Sequence, residues 1–166
     1  MKLSFSKNRI NLIHSFGISR SSNDYYDIIY IYIMDGDFIG RGEAAPSKRY
    51  GESSELILSV LENGIKVPEN YQSREHLWDF LKPQLRKIAS LEAAVNMAVW
   101  DLSAQKQNIP LYKSFGFENK ILPKTSYTIS IGELEELDSK LEESKKCSIL
   151  KVKLGTPKND KEIIRQ

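Results

Sequence analysis

Residues 149–155, Ile-Leu-Lys-Val-Lys-Leu-Gly, place two lysines where a strand ought to be apolar. Read as a β-strand, the stretch puts Lys151 and Lys153 on one face and Leu150, Val152 and Leu154 on the other. Its surroundings restrict what that strand can be. Residues 125–131 alternate as a second strand, Gly132 breaks the run, and Leu134, Leu137 and Leu141 mark one side of a helix reaching about residue 146. Beyond the lysines, residues 156–160 form a helix-entry signal. The order is therefore β-α-β-α, and two strands joined by such a helix are most simply parallel neighbours, covered on both faces. The lysine face is expected to point into protein. Two ammonium groups ~6.5–7 Å apart at the backbone disfavour each other's charge, so a lysine there can take up a proton. The alternative is that both stems snorkel to water at a strand end.

Composition narrows the partners. The chain has 166 residues, of which 40% are hydrophobic and 10% aromatic, enough for one moderate core. With 24 basic against 22 acidic side chains the net charge is +2, so no global field draws the chain to nucleic acid or to a membrane surface. A lone cysteine, Cys147, forms no internal disulfide, and His14 and His76 fall short of a Cys/His metal cluster. That usage suits a reducing compartment, and the expected location is cytoplasmic. The first residues interrupt their apolar run with Lys7, Asn8, Arg9 and Asn11, unlike a signal peptide or a membrane span.

Upstream of Pro123 the pattern changes. Strand-like sequence fills residues 2–42, with Asp35, Gly36 and Asp37 as the turn between strands at 28–34 and 38–43. The polar stretch 19–24 reads as a solvated loop, and Arg20 is its only long cation. A helix begins near Glu52 or Ser53, carries Leu56, Ile57, Val60 and Leu61, and stops at Asn63 and Gly64. Ser73 caps a second helix, which Pro83 kinks or divides; Ser90 is expected to cap a third, with Leu91, Ala94, Val95, Ala98 and Leu102 as its apolar stripe. Glu92, Asn96 and Asp101 read as that helix's solvated side, and Trp78 and Trp100 as core. The chain thus divides near Pro123 into a mixed domain and an alternating one.

An ordered set of motifs carries a resemblance. Gly42-Glu43, then Pro46, then Tyr50-Gly51-Glu52, the helix 93–102 (Ala-Ala-Val-Asn-Met-Ala-Val-Trp-Asp-Leu), residues 109–112, residues 125–128 and the two-lysine strand together resemble the enolase superfamily. Within it they are most similar to the dipeptide epimerases of the muconate-lactonizing subgroup. The resemblance implies an α+β capping domain, antiparallel strands plus a helical bundle, over residues 1–123. The first two β/α units of a truncated TIM-like barrel follow over 124–166, with the active site at the carboxyl ends of the strands. It implies that Lys153 is the general base and that Lys151 tunes it and touches the substrate carboxylate. Thr128 lines the substrate, Arg20 meets the acidic side chain of an Ala-Glu type dipeptide, and Tyr50 lies in a second capping loop.

The superfamily pairs such a base with magnesium, which is a property of the superfamily rather than of these residues. The three acidic ligands and the opposing lysine belong to later strands, so no metal ligand is assigned here. Residues 124–166 fall far short of the ~250 of a typical eight-stranded barrel. The implied function is therefore metal-assisted α-proton abstraction and epimerisation by the full-length enzyme, with residues 1–166 alone inactive. The implied partner is a small dipeptide, with neither nucleic acid nor membrane, and a homo-oligomer is allowed for the full-length enzyme. Arg20 favours epimerisation over the cycloisomerase and o-succinylbenzoate synthase relatives, which share the lysine strand; a non-catalytic remnant or interaction module is the other alternative.

Overall fold

The computed structural model describes residues 1–18, 21–118, 122–131, 134–155 and 160–165. Three strands, β1 (Lys2–Ile18), β2 (Ser21–Asp35) and β3 (Phe38–Ala44), form one sheet in the order β1-β2-β3. β2 and β3 are antiparallel, in register from Ile29 opposite Ala44 to Asp35 opposite Phe38. Gly36, at φ 59°, takes the left-handed position that a two-residue hairpin loop demands. The strand expected from residue 28 begins earlier. Ser22, Asn23 and Asp24, read from sequence as loop, lie in β2 and are exposed, because the neighbouring strand satisfies their backbone while their polar side chains stay in water.

The described residues divide into two compact units, Met1–Ile10 with Asp27–Asn119, and Asn11–Tyr26 with Lys120–Gln166. In the first, Ile29, Ile31 and Ile33 of β2 are fully buried against helices, as period-two alternation requires. Helix α1 (Ser54–Glu62) starts at Ser53, whose side chain accepts the Leu56 N–H at 3.2 Å. Helix α2 (Arg74–Leu81) starts at Ser73, which accepts the His76 N–H at 3.2 Å. A 3-10 turn, Lys82–Leu85, follows it at Pro83. The Ser73 cap falls where the sequence placed it, and α1 starts at the expected position near Glu52 or Ser53.

Helix α3 (Ala89–Lys106) differs. Its N-cap is Ile88, with no side-chain cap bond. Ser90 lies inside the helix, and its N–H donates instead to Glu52 Oε1 at 3.3 Å. The nearly buried Glu52, 38 residues upstream, thus does the work expected of Ser90. Asp101 also departs from a purely solvated reading: its carboxylate accepts the Arg41 N–H at 2.8 Å, and Gln105 Nε2 donates to the Ile39 carbonyl at 2.7 Å. These two side chains seal the outer edge of β3, the edge that β2 leaves open. Trp78 packs against the core, whereas Trp100 is half-buried, with the Arg74 guanidinium 3.2 Å from its ring centroid and Phe115 at 4.4 Å. A short helix, α4 (Leu111–Ser114), follows α3.

What seats β3 on α3 is the absence of side chains. A Cβ added at Gly40 would come within 2.0 Å of the Ala98 carbonyl oxygen, and one at Gly42 within 1.9 Å of that of Ala94. The two glycines and two alanines let strand and helix backbones touch.

In the second unit β4 (Ser126–Ile129) and β5 (Ile149–Val152) pair in parallel, joined through a 3-10 turn (Leu134–Glu136) and α5 (Leu137–Ser144). α6 (Asp160–Arg165) comes after β5; the entry signal at 156–159 lies outside the described residues. Ile129 and Leu137 are buried between sheet and helix. Among the described residues no helix is long and apolar enough to cross a membrane.

Gly42→Ala is expected to cost about 3 kcal/mol, the upper end for overpacking, because backbone must move on both sides. Gly36→Ala, which meets nothing within 4 Å, should cost only about 1–2 kcal/mol of left-handed strain. Urea midpoints of the two variants compare the effects; equal losses would contradict the close approach.

Candidate functional site

The parallel register sets Thr128 opposite Lys151 and Ile129 opposite Val152. Since paired residues on parallel strands project to the same side, Thr128 and Lys151 share a face. Lys153 follows on that face two residues later, just past the strand end, and its N–H continues the ladder by donating to the Ile129 carbonyl at 3.0 Å. Ile129, on the opposite face, is buried against α5. The β-α-β turn has therefore put the helix on one side and the two lysines on the other.

Coverage of the lysine face is less than the sequence argument expected. All four residues of β5 are exposed, on both faces, and Lys153 alone of the pair is half-buried. The physical reason is that β4 and β5 make a two-stranded sheet in which β5 is an edge and α5 sits over β4. What covers Lys153 is β1: its Nζ stands 3.9 Å from the ring centroid of Phe16. A cation over an aromatic face gains roughly 0.5–1 kcal/mol where water still has access.

β1 is fastened to this unit at two neighbouring points. His14 Nε2 lies 2.8 Å from Glu143 Oε1, and the Ser15 carbonyl accepts the Ser130 hydroxyl at 3.2 Å. Tyr127 of β4 donates its phenol to the other Glu143 oxygen at 2.8 Å. Glu143 is held below the usual carboxylate range, first by the His14 contact and then by Tyr127. The Tyr127 phenol is pushed up, chiefly because its proton is engaged by Glu143.

Of the residues singled out from sequence, the structure brings Thr128, Lys151 and Lys153 together. Tyr50 belongs to the first unit, at the end of a 3-10 turn (Lys48–Tyr50), and is 73% exposed. Arg20 lies outside the described residues. Phe16 and Glu143 had no sequence signal, and Tyr127 stood only within the 125–128 motif without a role, because each acquires its partner only through pairing across long separations. A cavity of about 600 Å³ in the first unit contains none of the residues singled out. Its Asp35 takes hydrogen bonds from both Lys106 and Tyr71. Among the described residues no three His, Cys, Asp or Glu side chains are placed to hold a metal ion.

Comparison with known proteins gives this geometry its context. The chain belongs to the mandelate racemase / muconate lactonizing enzyme family, whose N-terminal domain matches residues 7–116. The L-Ala-D/L-amino acid epimerase of Maribacter sp. is 32% identical over 168 residues, taking in 100% of this chain and 49% of that protein. The L-Ala-D/L-Glu epimerase of Bacteroides thetaiotaomicron is 31% identical, over 99% of this chain and 43% of its own length. Among solved structures, a dipeptide epimerase from Methylococcus capsulatus complexed with Mg and L-Arg-D-Lys superposes with a TM-score of 0.82 at 27% identity, over 99% of this chain and 48% of that one. The chain spans about half the length of the curated relatives it matches. The antiparallel sheet with its helices corresponds to the family's capping domain.

Because Glu143 is depressed, its two contacts persist above the ordinary carboxylate range and are lost as pH falls through the lowered value. Tyr127, being raised, keeps its proton through the ordinary phenol range and releases it at higher pH. A carboxyl-carbon NMR titration should show Glu143 protonating below its unfolded counterpart, and Tyr127→Phe together with His14→Ala should return it to the ordinary range. A titration unmoved by the double change would contradict the network.

Proposed function

We propose that this chain supplies one face of the proton-transfer site of a dipeptide epimerase. The observation that carries the reading is the alignment of Thr128, Lys151 and Lys153 on one face of a parallel strand pair. It stands in a chain whose relatives are dipeptide epimerases. In this reading residues 1–123 are the capping domain, and β4-α5-β5-α6 open a TIM-like barrel over 124–166.

The chemistry follows from the side chains. A proton α to a carboxylate leaves only if the negative charge that develops on the carboxylate oxygens is stabilised. The Lys153 amine accepts that proton, its nitrogen lone pair forming the new N–H bond while the C–H electron pair passes toward the carboxylate. Lys151, on the same face, offers an ammonium to those oxygens, and Thr128 lines the approach beside it. Return of a proton to the opposite side of the α-carbon requires a second acid, which this face does not provide. The substrate class is an Ala-Glu type dipeptide, with Arg20 for the acidic side chain and Tyr50 at the mouth. The Methylococcus capsulatus relative holds Mg with its dipeptide. The described residues of this chain form no ligand set for it. The single cysteine and balanced charge fit a cytoplasmic enzyme.

The test is isotope uptake. A full-length version of the polypeptide, incubated with L-Ala-L-Glu in D2O, should place deuterium at an α-carbon. Lys153→Ala should lower that exchange by roughly 10²–10⁴-fold, the usual worth of a positioned base. Exchange that survives in Lys153→Ala would remove Lys153 from the reaction, and none in the unaltered protein would favour a non-catalytic module.

A further inference from the structure

Lys153 is notable for the company it keeps. No acidic side chain among the described residues pairs with it; its Nζ rests instead on the face of Phe16, 3.9 Å from the centroid. The difference matters for a group that must give and take a proton. A carboxylate partner would fix the ammonium in place but would also hold the proton there, since it stabilises the charged form strongly. An aromatic face attracts the ammonium too, but more weakly, and so holds the proton there less firmly.

Phe16 is itself held through the two residues that precede it. The adjacent Ser15 carbonyl accepts Ser130 Oγ at 3.2 Å, and His14, two residues away on the same side of β1, meets Glu143 at 2.8 Å. The backbone that presents the ring is thus tied to α5 and to the end of β4, the strand that pairs with β5. Lys153 lies one residue beyond β5, where its N–H makes the last bond of the ladder, to the Ile129 carbonyl at 3.0 Å, and its side chain reaches across to the ring.

We propose that Phe16 is the positioning residue for Lys153, its ring face seating the amine on the reactive side of the β4–β5 pair without a competing base. The inference rests on the reading of Lys153 as the proton-transfer group. It deepens that reading by adding a residue from β1 to a site otherwise built from β4 and β5.

Proton and carbon NMR of the chain with ε-labelled lysine tests the seat directly, with no need of activity. The Lys153 ε-methylene signal should lie upfield from the ring current, return to the ordinary lysine position in Phe16→Leu, and stay upfield in Phe16→Tyr. In the D2O exchange assay Phe16→Leu should lower kcat about tenfold or more with KM within about twofold, while Phe16→Tyr keeps both near the unaltered values. An ordinary Lys153 shift in the unaltered chain, or an undiminished kcat in Phe16→Leu, would overturn the positioning role alone. Absence of exchange in the unaltered protein, with the ring-current shift intact, would instead overturn the epimerase reading on which it rests.

Discussion

The contact on which the first unit depends is between two backbones. Gly40 and Gly42 bring β3 so near α3 that the carbonyls of Ala98 and Ala94 occupy the space a methyl group would need. Everything else in that unit follows from the spacing. With the strand pressed to the helix, Asp101 and Gln105 reach the outer edge of β3 and close it with hydrogen bonds. The isoleucine face of β2 is brought down onto the remaining helices, where Leu77, Leu81 and Leu85 complete the core. A larger residue at either glycine would not only clash; it would lift the sheet edge off the side chains that seal it.

The second unit obeys a different rule. Here a β-α-β connection between parallel strands places α5 on one face of the strand pair, and the lysines occupy the other face. The chemistry of the site is a by-product of alternation: Ile129 faces the helix because its neighbour Thr128 does not. The glutamate on α5 that receives both Tyr127 and His14 then holds the far half of β1, itself part of this unit, against the helix. Phe16 arrives with it.

Local signals in the sequence were readable wherever the cause was local. Ser53 and Ser73 cap their helices because an N-cap needs only its own next three residues, and the Gly36 hairpin and the parallel β4–β5 neighbours follow from turn chemistry and from connection length. Ser90 failed for the same reason in reverse. Its position looks like a cap, but Glu52 reaches the helix start from a distant turn, and no spacing rule anticipates that. Residues 22–24 looked like a loop because polarity was read as irregularity, whereas an exposed two-stranded ribbon satisfies its backbone without needing apolar side chains. The lysine strand was placed correctly beside its neighbour, but its coverage was overestimated, since how much lies over an edge strand is set by elements that the strand's own residues do not encode.

Glu52 has a further bearing on the turn beside it. The Ser47 carbonyl accepts the N–H of both Tyr50 and Glu52, at 2.9 and 3.2 Å, and the Lys48 carbonyl accepts that of Gly51 at 3.1 Å. Two residues past Tyr50, the Glu52 side chain is moored to the first turn of α3. The tip that displays Tyr50 is consequently on a short leash, without a hinge on either side. The exposed Tyr50 phenol is therefore left to turn about its own side-chain bonds above a main chain that these hydrogen bonds brace.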